Sequence, residues 1–210
     1  MQKRIVIFGA TGGTGQELVT QALKANYRVT AFARSPEKLN VSDTNLKVIQ
    51  GDVLNLEDVY RAVENQDVVL CSIGMPPSDK SMLRTKATVN IIKAMEKQGM
   101  NRLICQSTLG IGDSKVFLPW HWKFIIVPLI LKRAFKDHEI QESKIENSKL
   151  DWTIVRPAGL TNGKKTGRYK HDFAYSDKIK VKVSRADTAH FMLSQIDDNQ
   201  YLRQKVGVSY

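Results

Sequence analysis

Cysteine is nearly absent from this chain: Cys71 and Cys105 are the only two in 210 residues. They stand in separate apolar runs with no Cys-x-x-Cys spacing, which argues against a disulfide framework and a cysteine-based metal site. Both read as small core residues in a reducing compartment. No cluster of His, Cys and carboxylate suggests a metal. Long apolar runs are lacking too. The longest, Phe124 to Leu131, contains Pro128 and is too short to cross a bilayer. No signal peptide is visible, since a strand pattern opens by residue 4. The expected location is cytoplasmic, with no membrane span.

Acidic residues are the other shortage. Against 32 Lys and Arg there are 21 Asp and Glu, a net charge of +11. Such a balance suits nucleic acid, anionic lipid or anionic small molecules. The cations are dispersed, however, and Lys164-Lys165-x-x-Arg168 is the only tight cluster in a stretch that reads as a loop. No nucleic-acid motif accompanies it. Nucleic acid is therefore not an expected partner; a solvated surface, or attraction of phosphate-bearing cofactors and acidic substrates, accounts for the charge.

What the chain does have stands at its start. An apolar β-type run, Ile5 to Phe8, breaks into Gly9-Ala-Thr-Gly-Gly-Thr-Gly15 and continues as a helix pattern from Gln16 to Ala25. Strand, glycine loop and helix in that order form a dinucleotide-phosphate site. Gly9 permits a sharp exit from the strand, Gly12 lets backbone N–H groups reach a pyrophosphate, and Gly15 lets the helix lie close to the strand. The positive end of the helix dipole then holds the anion. Gly13 and Thr14 complete the loop, and Thr11 can add a hydroxyl contact. The plain alternative is a glycine-rich structural turn.

The end of the second strand discriminates between dinucleotides. Tyr27 to Ala33 reads as that strand and runs into Arg34-Ser35-Pro36. A carboxylate near this point holds the ribose of NAD, whereas arginine suits the 2′-phosphate of NADP. No carboxylate occurs between Glu17 and Glu37. NADP(H) is thus preferred over NAD(H), with Arg34 and Ser35 as its contacts, unless Arg34 merely begins a surface loop.

Strand and helix patterns alternate along the rest. Strands are expected at Leu46 to Gln50, Asp67 to Ile73 (closed by Gly74 and Pro76-Pro77), Arg102 to Thr108, Trp152 to Arg156 and, short, Ile179 to Val183. Helices are expected from Leu56 to Asn65, Ser81 to Gln98, about Leu129 to Asn147, and Arg185 to Ile196. This pattern predicts an α/β fold, a Rossmann-type doubly wound parallel sheet forming a single domain over residues 1–210. Ligands in such sheets bind past the carboxyl ends of the strands. That adds Asp52 and Val53, Ser72-Ile73-Gly74, Ser107-Thr108 and Pro157-Ala158-Gly159 to the candidate cofactor site. Asp52 can accept from an adenine amino group, with Val53 beside the ring, or be a turn residue after Gly51. Ser72, Ile73 and Gly74 are expected along the nicotinamide ribose.

The ordered set Gly9-Ala-Thr-Gly-Gly-Thr-Gly15, Gly51-Asp52-Val53, Gln106-Ser107-Thr108 and Leu150-Asp-Trp-Thr-Ile-Val-Arg-Pro157 resembles the atypical short-chain dehydrogenases. It is similar in particular to their NAD(P)H-binding, NmrA-like group, which includes biliverdin-IXβ reductase/flavin reductase. The resemblance runs nearly the whole chain, to Ser184-Arg-Ala-Asp-Thr-Ala-His-Phe-Met192. It implies a Rossmann fold, NADPH as hydride donor and a planar conjugated acceptor, with FMN or FAD among the substrates. It also aligns Ser107 with a serine that orients the nicotinamide amide or the acceptor; the alternative is a strand-end cap.

One departure bears on mechanism. Most short-chain dehydrogenases carry Tyr-x-x-x-Lys before the sixth strand, and those places fall here at Ala134 and His138. The tyrosine acid is missing, so alcohol and ketone chemistry is disfavoured. His138, with Glu142 one turn on, is the candidate proton donor; otherwise it is a helix-surface residue or packs against the cofactor ribose. His121, His171 and His190 have less claim. Flavin-like acceptors need little enzymic acid, because solvent can supply the proton and stacking of the two π-systems does most of the work.

Between the fifth strand and the following helix, Trp120, Trp122 and Phe124 can form an apolar wall for the acceptor. They can also pack on the domain, on a second subunit or on a membrane surface. Pro119 and Pro128 argue against a continuous helix here. Three functions follow: an NADPH-dependent reductase of a flavin, tetrapyrrole or quinone, a redox sensor that binds NADP(H) without turnover, and, disfavoured for want of the tyrosine, a nucleotide-sugar epimerase. The chain is expected to be a monomer or weak homodimer.

Overall fold

The computed structural model describes residues 2–76 and 78–210, so Met1 and the second proline of the Pro76-Pro77 pair lie outside the described residues. Strands β1 (Arg4–Phe8), β2 (Arg28–Ala33), β3 (Leu46–Gln50), β4 (Val68–Cys71), β5 (Arg102–Gln106), β6 (Asp151–Pro157) and, further along the chain, β10 (Gln204–Ser209) run parallel in one sheet. Their order is β3-β2-β1-β4-β5-β6-β10, with the two-residue β8 (Lys170–His171) antiparallel at the edge. The direction of winding reverses between β1 and β4, which opens a crevice beyond their carboxyl ends.

Helices cover both faces, because each strand presents apolar side chains alternately to either side. On one face α1 (Gly13–Lys24) and α5 (Arg185–Ser194) pack over Ile5, Ile7 and Val155. On the other, α2 (Leu56–Val63), α3 (Leu83–Lys97) and α4 (Lys132–Glu146) pack over Val6, Phe8, Val69 and Ile154. Cys71 and Cys105 face each other across β4 and β5, buried and unbridged.

Three expectations need correction. The stretch through Pro128 is helical after all: Trp122–Leu131 winds as a π-helix that continues directly into α4. Its wider turn changes the carbonyl a residue would bond, and so tolerates a proline that would break an α-helical ladder. The expected strand at Ile179 to Val183 shortens to β9 (Lys182–Ser184), which leaves the main sheet and pairs with β7 (Gly159–Thr161). The place beside β6 is taken instead by β10, a strand the pattern did not signal. Its buried Val206 and Val208 alternate with Lys205 and Gly207, and six residues give little periodicity to read.

Candidate cofactor and acceptor cleft

The carboxyl ends of β1, β4, β5 and β6 open into one cleft of about 890 Å³. At its floor the chain leaves β1 through Gly9, whose φ of +80° is left-handed and whose added Cβ would stand 2.8 Å from the Ser72 carbonyl. Only glycine fits there. Gly12 donates its N–H to the Gly9 carbonyl at 3.0 Å and opens α1. No side chain caps that helix and its first turn holds no acid, so its first N–H groups are left for an anion. A Cβ on Gly15 would overlap the Gly9 carbonyl oxygen, so the close seat of α1 on β1 depends on glycine there.

Of the residues expected at the cofactor, Gly9, Thr11, Gly12, Gly13, Thr14, Arg34, Ser35, Val53, Ser72, Ile73, Gly74, Ser107, Thr108, Pro157, Ala158 and Gly159 all line this cleft. Gly15 lies beneath it. Asp52 is exposed and not part of the wall; its Oδ1 accepts from the Leu54 N–H at 2.9 Å, the turn alternative raised for it. The cleft also takes in Lys38, Arg84 and Arg185, which the sequence did not single out. Arg185 crosses Gly13 and bonds Asn162 at 2.6 Å. Arg84 is buried, its Nη1 3.4 Å from Asp137 and its Nη2 3.2 Å from the Met75 carbonyl, while its Nε has no partner among the described residues. An arginine in the first turn of a helix reads as a surface residue, and only the fold turns this one inward. Among the described residues, the lining holds four cations and neither a carboxylate nor a tyrosine.

Ser107 and His138 meet at the back of the cleft, Oγ to Nδ1 at 3.4 Å. The same nitrogen stands 3.2 Å from Gln141 Oε1, whose amide nitrogen donates to Thr88 at 3.0 Å. With that amide so oriented, Nδ1 carries the hydrogen and Nε2 keeps its lone pair. Burial, reinforced by the positive charge of Arg84, pushes the His138 pKa down to about 3. At neutral pH the ring is uncharged, so the geometry does not supply the imidazolium acid that its position suggested. Glu142 does not serve His138 either. It is locked in a buried two-point pair with Arg156, at 2.9 and 2.6 Å.

The outer wall comes from Leu118, Trp122, Leu131 and Phe135. Of the three aromatics singled out in this segment, Trp122 lines the cleft, whereas Trp120 and Phe124 point outward, 69% and 67% exposed. The Lys164-Lys165-x-x-Arg168 loop is strapped to Asp187, which accepts from the Thr166 and Gly167 N–H groups at 2.8 Å.

The profile of the NAD(P)H-binding family matches residues 9–199, from the first loop glycine to beyond α5. The chain belongs to that family. It is 30% identical over 177 residues to an uncharacterized chloroplastic protein of Arabidopsis thaliana, a match covering 79% of this chain and 62% of that protein. It is 28% identical to reductase pytE of Aspergillus terreus, over 94% of this chain and 89% of the reductase. A Rossmann-fold NAD(P)-binding family protein of Shigella flexneri superposes with a TM-score of 0.77 at 26% identity, over 99% of this chain and 93% of that one. A short-chain dehydrogenase/reductase of Veillonella parvula, solved in complex with NADP, gives 0.85 at 21% identity over 100% and 95%. These matches place the chain in an oxidoreductase-like NAD(P)H-binding family of Rossmann fold. Among the described residues no helix is long and apolar enough to cross a membrane.

Proposed function

We propose that the protein is an NADPH-dependent reductase of a planar conjugated acceptor: a flavin such as FMN or FAD, a biliverdin-like tetrapyrrole or a quinone. The observation that carries this is the division of the cleft. One end joins an uncapped helix terminus to Arg34, Lys38 and Arg185; the other is walled by Trp122, Leu131 and Phe135 and, among the described residues, holds no carboxylate or tyrosine on the wall. The first suits a cofactor bearing a pyrophosphate and a 2′-phosphate. The second suits an aromatic acceptor.

NADPH, when bound, supplies the hydride. Thr11 to Thr14 hold its pyrophosphate, Arg185 adds charge beside Gly13, and Arg34 with Ser35 takes the 2′-phosphate. Val53 packs at the adenine end, with Asp52 beyond the cleft wall as a weaker candidate. Ser72, Ile73 and Gly74 follow the nicotinamide ribose, and Thr108, Pro157, Ala158 and Gly159 close the same end. Ser107 donates to the nicotinamide amide or the acceptor, and His138 acts as a positioning residue by fixing the Ser107 hydroxyl. Two-electron reduction takes one hydride and one proton, and with His138 uncharged the proton comes from water.

A second reading, a sensor that holds NADP(H) without turnover, draws on the absence of a tyrosine or carboxylate acid in the lining. Loss of reduced-nicotinamide absorbance, followed with FMN, biliverdin and a quinone in parallel and NADH as control, separates the two. Turnover that prefers NADPH supports the reductase. Tight NADPH binding without turnover of any acceptor supports the sensor.

A further inference from the structure

The segment that walls the acceptor end has a second face. Among the described residues, five of the nine exposed large apolar side chains fall within residues 120–130: Trp120, Phe124, Ile125, Leu129 and Ile130, the last two 79% and 61% exposed. The π-helix Trp-Lys-Phe-Ile-Ile-Val-Pro-Leu-Ile-Leu has no fully buried residue, although Trp122 and Leu131 turn into the cleft. Exposing this much contiguous apolar surface to water is costly, and such patches mark a docking face.

Charge identifies what covers it. From residue 114 to residue 136 there is no Asp or Glu, but there are Lys115, Lys123, Lys132, Arg133 and Lys136. Lys115 is paired with Glu139; among the described residues the other four cations have no ion-pair partner. A two-fold contact with a second copy would set this cationic stretch against itself. A surface of anionic lipid phosphates meets it with the opposite charge. Ten helical residues are about half of what a bilayer crossing requires, so the segment would lie in the headgroup layer, where tryptophan is at home and lysine reaches phosphate.

We propose that this face docks on an anionic lipid surface. Trp120, Phe124, Ile125, Leu129 and Ile130 enter the headgroup and acyl boundary, and Lys123, Lys132, Arg133 and Lys136 hold lipid phosphates. Because Trp122 and Leu131 belong to both the docking segment and the cleft wall, the acceptor end then opens toward the bilayer. An acceptor with a planar head and an apolar tail, such as a long-tailed quinone, reaches it without crossing water. This last consequence rests on the reductase reading; the docking does not.

The test is sedimentation of the full chain with phosphatidylcholine vesicles, with and without about a third of phosphatidylglycerol, at low and high salt. The expected result is binding to the anionic vesicles only, weakened by salt. Leu129→Ser/Ile130→Ser should weaken it about tenfold or more. Lys132→Gln/Arg133→Gln should weaken it and flatten its salt dependence, while NADPH affinity stays unchanged in both variants. No binding at low salt, or equal binding to neutral vesicles, would overturn the proposal. So would concentration-dependent dimerisation that Leu129→Ser/Ile130→Ser abolishes, since the face would then be a self-interface. Vesicle binding together with failure of every acceptor to be reduced would leave the docking standing and remove the reductase.

Discussion

Ser107 Oγ lies 3.4 Å from Nδ1 of His138, both side chains buried in the cleft wall beside the charged Arg84. The pair joins the end of β5 to α4, one helical turn beyond Ala134. Here the histidine is held uncharged, so its contribution is to fix the serine. His138→Ala is expected to leave flavin reduction within about tenfold of the parent. A loss beyond about a hundredfold at unchanged NADPH affinity would make His138 the acid.

The same burial has a signature in stability. A histidine with a pKa of about 3 in the fold and about 6.5 in the unfolded chain binds its proton more readily when unfolded. Stability therefore falls as pH drops below about 6.5 and keeps falling toward the folded value, by up to about 1.4 kcal/mol per pH unit. His138→Gln should remove this contribution. Urea titrations of both proteins between neutrality and about pH 4.5 measure it; parallel curves would contradict the burial argument.

Arg34 carries the choice of cofactor. Arg34→Ala should cost NADPH about 1–3 kcal/mol of binding and leave NADH almost unaffected, as titration of each cofactor would measure. Equal losses would remove the 2′-phosphate role.

The glycines of the cleft are not equivalent. A Cβ on Gly15 overlaps the Gly9 carbonyl, whereas one on Gly74 meets nothing within 4 Å. Gly15→Ala should lower stability by about 2 kcal/mol or more and loosen cofactor binding. Gly74→Ala should stay within about 0.5 kcal/mol in thermal denaturation.

Glu142 and Arg156 form a structural pair. Both are buried and joined at two points, so Glu142→Gln leaves a guanidinium charge without its buried partner. A loss of about 3 kcal/mol or more is expected, with NADPH affinity of the folded fraction unchanged.

Much of this architecture was legible from the chain because local chemistry and global fold agree in its first half. The glycine loop, strand β3, and the apolar runs of β4 and β5 each carry their own signal, and the strand ends point to the residues that line the cleft. What stayed hidden depends on long-range packing. Arg84 and Arg185 are surface-type residues in sequence, and only the meeting of α3 with α4, and of α5 with the glycine loop, turns them toward the cleft. The charge state of His138 depends on what surrounds it rather than on its position in a motif. Proline 128 misled for a different reason: the rule against helix interiors holds for an α-helical ladder, and this segment uses a wider one.

The most direct test of the reductase account is transfer of the label from NADPH deuterated on one face of the nicotinamide C4, in a single turnover with FMN or a quinone. The account predicts NADPH oxidation with deuterium lost from one face only and a slowed rate when that face is labelled. Binding of NADPH without oxidation by any acceptor, or equal loss from both faces, would contradict it.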